Sequence, residues 1–264
     1  MDQRRAAEFL AFLPELAALA AAVVLPRFRA PLPVTDKGGL RFDPVTEADR
    51  EAERVIREAI LARYPDHGVL GEEFGNQAGT SACCWVIDPI DGTRAFISGV
   101  PTWGTLVALC EDDRPVLGMM SQPFVQEIFL GGPAGAWLLR GGEQQPLRVR
   151  QGVALAQASV FATTPDMFSP EELAAFNQVS AAARLTRFGI DCYAYCLLAA
   201  GHIDLVVEAG LGYYDIAPLI PIIEGAGGIV SDWQGAPVRS GGRVIAAASA
   251  SLHAEALALL ANGD

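Results

Sequence analysis

Residues 85–93, Trp85-Val86-Ile87-Asp88-Pro89-Ile90-Asp91-Gly92-Thr93, constrain this chain more than any other stretch. An apolar run reads as a short buried strand over residues 85–87. It leads straight into two carboxylates three positions apart around a proline. Pro89 has a fixed φ and restricts Asp88 to extended backbone. A tight turn there aims both side chains at one point. Hard divalent cations need that arrangement: oxygen ligands, some negative charge, and open positions for water and substrate. Gly92 lets the backbone approach closely, and a helix opening at Gly92-Thr93 offers free N–H groups to a phosphate. Metal and phosphate pockets would then be adjacent, as phosphoryl transfer requires. The plain alternative is an Asp-Gly turn with a capping Asp, and a bare D-G-T favours it. The longer D-P-x-D-G-T string fixes five positions. It arises by chance in about one chain of this length in several thousand.

Further carboxylates stand in suitable company. Gly71-Glu72-Glu73 follows the apolar pair Val69-Leu70, and Asp215 precedes Ile216-Ala217-Pro218. Asp49 lies three residues after Thr46. Each has a simple alternative role. Glu72 and Glu73 fit a solvated surface pair. Asp215 fits the cap of a helix that Pro218 would open. Asp49 fits the acid of a capping box. Their joint occurrence favours one site over three unrelated details.

Charge and composition narrow the classes. The net charge is −12 over 264 residues. Such a surface repels nucleic-acid phosphate, so no nucleic-acid partner is expected. Half the residues are hydrophobic, enough for a full core. The five cysteines (Cys83, Cys84, Cys110, Cys192, Cys196) form no C-x-x-C pair, and His67, His202 and His253 are scattered. Reduced core cysteines and a cytoplasmic protein are expected, with no zinc cluster and no nucleophilic triad. No G-x-G-x-x-G follows a strand, and no G-x-x-x-x-G-K-[ST] exists, so dinucleotide-binding and P-loop readings fail.

Residues 16–26 form an uncharged apolar run of 11, too short to span a bilayer. Asp2, Glu8 and Glu15 interrupt a signal-peptide pattern. The spacing of Phe9, Leu10, Leu13, Leu16, Ala17, Ala20, Val23 and Val24 predicts an amphipathic first helix instead, and no membrane association. Residues 31–40 read as a loop. A helix follows from the Thr46 cap to Pro65, with Ala52, Val55, Ile56, Ala59 and Ile60 on one face. Short apolar runs at 104–109, 116–121, 127–130 and 136–139 predict an antiparallel meander. The rest reads as helix 170–183, strand 184–188, helix 193–200, strand 205–208, an irregular helix 214–225, strands 229–233 and 244–248, and helix 251–261. Elements come in blocks and do not strictly alternate. That predicts an α/β chain of the α+β type in layers. It divides near residue 150 into a metal-binding half, 1–150, and a half, 151–264, that completes the site.

At these residues the chain resembles the inositol monophosphatase family of metal phosphatases. The resemblance runs through residues 43–49, Gly71-Glu72-Glu73, 85–93, Tyr214-Asp215 and 224–228, nearly the whole chain. It implies an α-β-α-β-α layered sandwich and a Mg2+-dependent phosphate monoester hydrolase. Position by position, Glu72, Asp88, Asp91 and Asp215 match side-chain metal ligands, and the carbonyl of Ile90 matches a main-chain ligand. Gly92 and Thr93 match the phosphate-binding turn. Thr93 with Glu72 matches the pair that activates the attacking water, and Asp49 matches a residue supporting that water network. Lys37 lies near a position where the family often has lysine, but the loop spacing differs and no role is assigned to it. The implied mechanism is in-line hydrolysis assisted by two or three Mg2+ ions, without a covalent phosphoenzyme. A homodimer is common in the family.

Two stretches look like the histidinol-phosphate phosphatase branch. One is residues 92–109, continuing to Gln122-Pro123. The other is residues 189–195, followed by 204–211. Arg94 departs from the lysine often found in this branch. Histidinol phosphate carries an ammonium and an imidazole, which acidic groups would favour by charge-assisted hydrogen bonds. Glu208 matches the family's substrate-contacting carboxylate. Asp191, where inositol phosphatases tend to have a small residue, supplies another, or else caps the helix that follows. The expected activity is therefore histidinol-phosphate phosphatase in histidine biosynthesis. The alternatives are an inositol monophosphatase or broad small-molecule phosphatase, and a catalytically silent metal-binding regulator on the same fold.

Overall fold

The computed structural model describes residues 3–31, 33–36, 38 and 44–261; Lys37 and Asp43 lie outside them. The first helix, α1 (Gln3–Val24), is followed by a small pair of antiparallel strands, β1 (Val34–Asp36) and β2 (Pro44–Thr46). The expected loop at 31–40 thus carries a three-residue strand. Its partner lies in the segment that leads into α2 (Glu47–Arg63). Thr46 and Asp49 form the expected capping box of α2, worth about 1 kcal/mol.

An eight-stranded sheet follows. Its strands are β3 (Gly68–Gly71), β4 (Gly75–Gln77), β5 (Cys83–Asp91), β6 (Gly104–Glu111), β7 (Arg114–Gln122), β8 (Glu127–Gly132), β9 (Gly135–Arg140) and β10 (Glu143–Pro146). They lie in the order β10-β9-β8-β7-β6-β5-β3-β4. The predicted meander is the antiparallel run β6 to β9. The short helix α3 (Thr93–Ile97) lies between β5 and β6. A five-stranded sheet then comes from β11 (Ser159–Ala162), β12 (Leu185–Phe188), β13 (Leu205–Leu211), β14 (Ile229–Ser231) and β15 (Gly242–Ala247). The helices between these strands are α4 (Pro170–Ala182), α5 (Tyr193–Ala199), α6 (Tyr213–Ile216) and α7 (Leu219–Gly225), and α8 (Ala250–Leu260) closes the chain.

Strand alternation decides the layers. Along β6, Val107 and Leu109 face one side of the sheet, where Phe9, Leu13 and Leu16 of α1 and Ile56 and Ile60 of α2 cover them. Leu106 faces the other side and packs with α5, α7 and the inner face of the second sheet through Tyr195, Leu219, Ile222, Val206 and Ala246. The outer face of the second sheet, Val160, Val207 and Ile245, is covered by Phe176 and Val179 of α4 and Leu252 and Ala256 of α8. The result is an α-β-α-β-α sandwich. By length and composition alone α1 would pass for a membrane span. Its apolar stripe is spent on the sheet instead.

Two elements differ from expectation near the site. The strand at 85–87 continues to Asp91, because Pro89 sits in a bulge where its missing N–H leaves no ladder bond unmade. The expected helix 214–225 is two helices, since Pro218 cannot continue the first and caps the second.

Candidate active site

The bulge in β5 sets the geometry. Asp88 pairs with Leu106 and Asp91 with Gly104, so three steps along β5 match two along β6. In a regular strand, residues three apart point to opposite faces; one extra residue returns Asp88 and Asp91 to a common side. The expected tight turn is therefore a strand bulge with the same consequence. The bulge is held by its own hydrogen bonds. The Ile90 N–H donates to Asp88 Oδ1 at 3.1 Å, and Thr105 Oγ1 donates to the Pro89 carbonyl at 2.9 Å.

Asp215 arrives from the second half of the chain on α6. Its Oδ2 accepts the Gly212 N–H at 2.8 Å, so it does cap a helix, but α6 and not the one at Pro218. Carboxylate oxygens of Asp88, Asp91 and Asp215 lie within 4.8 Å of one another. Glu72 stands outside that tightest trio, in the turn after β3. It lines the same cavity, and its charge raises the pKa of both Asp88 and Asp215. Among the described residues no arginine pairs with Asp88, Asp91 or Asp215.

Burial and crowding push these acids up. Burial is the larger cause for Asp88 and Asp91, which rise well above the carboxylate range. Glu72, Asp91 and Asp215 add to it at Asp88, and Asp215 and Asp191 at Asp91. Burial likewise lifts Asp215 to about 7, against the pull of the Gly212 N–H. An all-oxygen donor set, with Asp88 buried, Asp91 and Asp215 half-buried and no arginine partner among the described residues, fits a hard divalent cation.

Gly92 caps α3 with φ +80°, a conformation that favours glycine. A Cβ there would also stand 2.9 Å from Asp191 Cγ. Thr93 Oγ1 lies 3.0 Å from the Ile90 carbonyl and 3.4 Å from Asp49 Oδ1. The other Asp49 oxygen accepts from Thr46 N–H at 2.8 Å and Thr46 Oγ1 at 2.5 Å. Asp49 thus acts as helix cap and reaches Thr93 as well; burial raises its pKa. Gly92 and Thr93 line a cavity of about 390 Å3 with Glu72, Asp88, Asp91 and Asp215. A second cavity of about 690 Å3 shares Arg94, Thr163, Thr164 and Asp191 with the first.

Asp191 belongs to both cavities. It ends a turn of three residues with positive φ: Gly189 at +92°, Ile190 at +79° and Asp191 at +42°. Two of these are non-glycine residues, so the turn is strained. Its side chain does not cap α5. Asp191 Oδ2 accepts from Thr102 Oγ1 at 3.0 Å, and the helix begins at Cys192 without a side-chain cap. Burial raises its pKa and the nearby Arg94 opposes that shift. Glu208 is less available than expected. At 2% exposure it accepts from Thr163 N–H at 2.7 Å, Thr163 Oγ1 at 2.6 Å and Tyr195 OH at 2.8 Å. It lines a small cavity of about 100 Å3 beside Asp91, Asp191 and Asp215.

The sequence analysis missed the groups that hold these acids: Thr102, Thr163 and Tyr195. No periodicity marks them, because the contacts join strands and loops far apart in the chain. It also missed Glu53, whose signal was present. Asp49, Glu53 and Arg57 recur at helical spacing on the buried face of α2, where an apolar stripe is expected.

Comparison with known proteins agrees with this architecture. A family model described as "Inositol monophosphatase family" matches residues 5–263. The bifunctional phosphatase IMPL2 of Arabidopsis thaliana chloroplasts is 37% identical over 89% of this chain and 70% of its own length. A histidinol-phosphatase of Chlorobaculum parvum is 34% identical over 84% of this chain and 85% of its own. Among solved structures, an inositol monophosphatase from Zymomonas mobilis superposes with a TM-score of 0.86 at 42% identity, covering 96% of this chain and 98% of that one. By sequence and by fold, with the acidic cluster where β5 meets α3, the chain belongs to the inositol monophosphatase family of phosphatases.

Proposed function

We propose that this phosphatase is a Mg2+-dependent histidinol-phosphate phosphatase, converting L-histidinol phosphate and water to L-histidinol and phosphate in histidine biosynthesis. The observation that carries the substrate is Asp191. It is a half-buried carboxylate held in a strained turn on the wall common to both cavities. One oxygen is anchored by Thr102, and the other accepts no hydrogen bond among the described residues. An ammonium beside the phosphate pocket would satisfy it; a neutral polyol would gain little from an added carboxylate. The histidinol-phosphatase likeness supports the same choice. The second reading, inositol phosphate, draws on the likeness to the Zymomonas mobilis enzyme.

Asp88, Asp91 and Asp215, with Glu72 and the Ile90 carbonyl, would hold two or three Mg2+ ions. These ions would supply positive charge for the phosphate and a lowered pKa for water. The residues themselves do the rest. The Gly92-Thr93 turn receives phosphate oxygens on its N–H groups. Thr93, braced by Asp49 and the Ile90 carbonyl, orients the attacking water, and Glu72 accepts its proton. Glu208 and Asp191 receive the leaving alcohol. Residues 1–150 supply Glu72, Asp88, Asp91 and Thr93, while residues 151–264 supply Asp191, Glu208 and Asp215, so neither half forms the site alone. A cytoplasmic homodimer acting on a small phosphate monoester, with no nucleic-acid or membrane partner, completes the reading.

Phosphate release from L-histidinol phosphate and from inositol 1-phosphate, each with Mg2+, tests the substrate. A higher kcat/KM for histidinol phosphate is expected, and a preference for inositol phosphate overturns the choice. Asp191→Ala should lower kcat/KM for histidinol phosphate about tenfold, the scale of one hydrogen bond to a charged group. Inositol 1-phosphate turnover should change little. Equal losses on both substrates would remove Asp191 from the specificity argument.

A further inference from the structure

Helix α2 carries a buried carboxylate that the reaction described above does not use. Glu53 is 0% exposed. Its Oε1 accepts from Arg57 Nε at 2.6 Å and from the Phe74 N–H at 3.2 Å, and its Oε2 accepts from the Glu73 N–H at 2.7 Å. Arg57 Nη2 in turn donates to the Gly75 carbonyl. The turn between β3 and β4, which contains Glu72, is therefore tied to α2 through the backbone of Glu73, Phe74 and Gly75. On its other side the Glu72 N–H donates to the Ile87 carbonyl of β5 at 3.2 Å. The fit leaves no slack: a Cβ on Gly71 would stand 1.9 Å from Glu53 Oε1.

One turn earlier on the same helix face is Asp49, which reaches Thr93. Helix α2 thus touches both the Glu72 turn and the Thr93 turn. A rigid helix between them sets how far apart they stand.

We infer that Glu53 is a positioning residue for Glu72. Through two hydrogen bonds to the turn backbone, and with Arg57 as its counter-charge, it places the Glu72 carboxylate against Asp88 and Asp215. This inference rests on the reading of the acidic cluster as a Mg2+ site. The chemistry favours a carboxylate for the task. Both oxygens must accept, because donors approach each of them. A glutamine would turn its NH2 toward one of those donors. A buried pair that served stability alone, such as Arg150 with Asp204, would have no such link to the cluster.

The test is thermal unfolding of the full-length protein titrated with MgCl2, without substrate, beside the Mg2+ dependence of phosphate release. Glu53→Gln should raise the Mg2+ concentration at half-effect about tenfold in both, the scale seen when groups supporting metal ligands are altered. KM for the phosphate monoester at saturating Mg2+ should move less. Asp204→Asn, a comparably buried carboxylate away from the cluster, should lower Tm and keep the wild-type Mg2+ midpoint. A folded Glu53→Gln protein with the wild-type midpoint overturns the inference. If that variant is recovered only as aggregate, Arg57→Lys decides, because lysine cannot bridge Glu53 and the Gly75 carbonyl as the guanidinium does. Its midpoint should also rise, and an unchanged one overturns the inference equally. Wild-type protein without any Mg2+ response would instead sink the metal reading itself.

Discussion

Asp204 and Asp88 are both buried, at 0% and 2% exposure, yet their surroundings are opposite. Asp204 receives two hydrogen bonds from the Arg150 guanidinium, at 2.8 and 2.6 Å, and two more from the N–H and hydroxyl of Ser159. Glu53 is treated the same way by Arg57 and the turn backbone. Asp88 has carboxylates for neighbours and, among the described residues, no arginine partner. Burying a charge costs several kcal/mol unless a partner offsets it. At Asp204 the protein supplies that partner. At the cluster the described residues supply no such partner, and a cation from solution would stabilise the acids instead. Among these acids burial alone does not single out the candidate site; burial beside other carboxylates does.

The contrast is most sharply tested by removing one acid of each kind. Asp88→Asn should abolish Mg2+-dependent phosphate release. Several kcal/mol of lost charge stabilisation, at 1.36 kcal/mol per tenfold, is a fall of roughly a thousandfold. The metal-free variant should at the same time melt no lower than wild type, because an acid crowded by Glu72, Asp91 and Asp215 has been replaced by a neutral amide. Retained turnover, or a clear drop in metal-free Tm, would put Asp88 in the same class as Asp204.

Asp204→Asn should do the reverse. Arg150 is itself 46% exposed, so losing the charge-assisted hydrogen bonds to the buried Asp204 carboxylate costs about 2 kcal/mol. For a chain of this size that lowers Tm by roughly 4–8 °C. Turnover per folded molecule, measured well below Tm, should be close to wild type. A loss of turnover without a loss of Tm would break the comparison from the other side.

A smaller effect concerns pH. Asp215 is raised from 3.8 to about 7, and Asp88 and Asp91 are raised well above the carboxylate range. In the window between those values the metal-free folded state binds more protons than the unfolded state, so its stability falls as pH rises. Stability is full below the ordinary carboxylate pKa and is lost as pH passes through the raised values. Mg2+ competes with those protons. The rise in Tm produced by saturating MgCl2 over EDTA should therefore be larger at about pH 8 than at about pH 5.5. An increment that stays constant or shrinks with pH would mean that the cluster is not where Mg2+ acts.

Much of this is legible in the sequence, and the exceptions share a cause. Asp88, Asp91, Asp215 and Glu72 were found because a proline-bracketed acidic pair, an acidic turn and an Asp before an Ala-Pro step leave local patterns. The first helix, the capping box and the meander were equally local, since each follows from spacing within a few residues. Asp191 was found, but its job was left open between cap and wall. The choice depends on Thr102, which comes from the other sheet's loops. Glu208 matches the family's substrate-contacting carboxylate, and its bonds to Thr163 and Tyr195 come from parts of the chain that no local pattern links to it. Glu53 and Arg57 interrupt the apolar face of α2 at i,i+4 spacing, but the backbone that Glu53 holds, at Glu73 and Phe74, lies far along the chain in the turn after β3.

The sequence alone is enough to nominate Asp88, Asp91, Asp215 and Glu72 as candidate ligands, and its alternation and capping make the layers. That Asp88 and Asp91 face one way depends on the bulge in β5, a matter of pairing with β6. Packing also brings Asp215 to them on a helix from the second half, and among the described residues gives none of the three the arginine that Asp204 has. The physical reason is that a carboxylate's pKa, cost and use depend on the charges and dipoles within a few ångströms. Chain order fixes those neighbours only within a turn or a strand; packing chooses the rest.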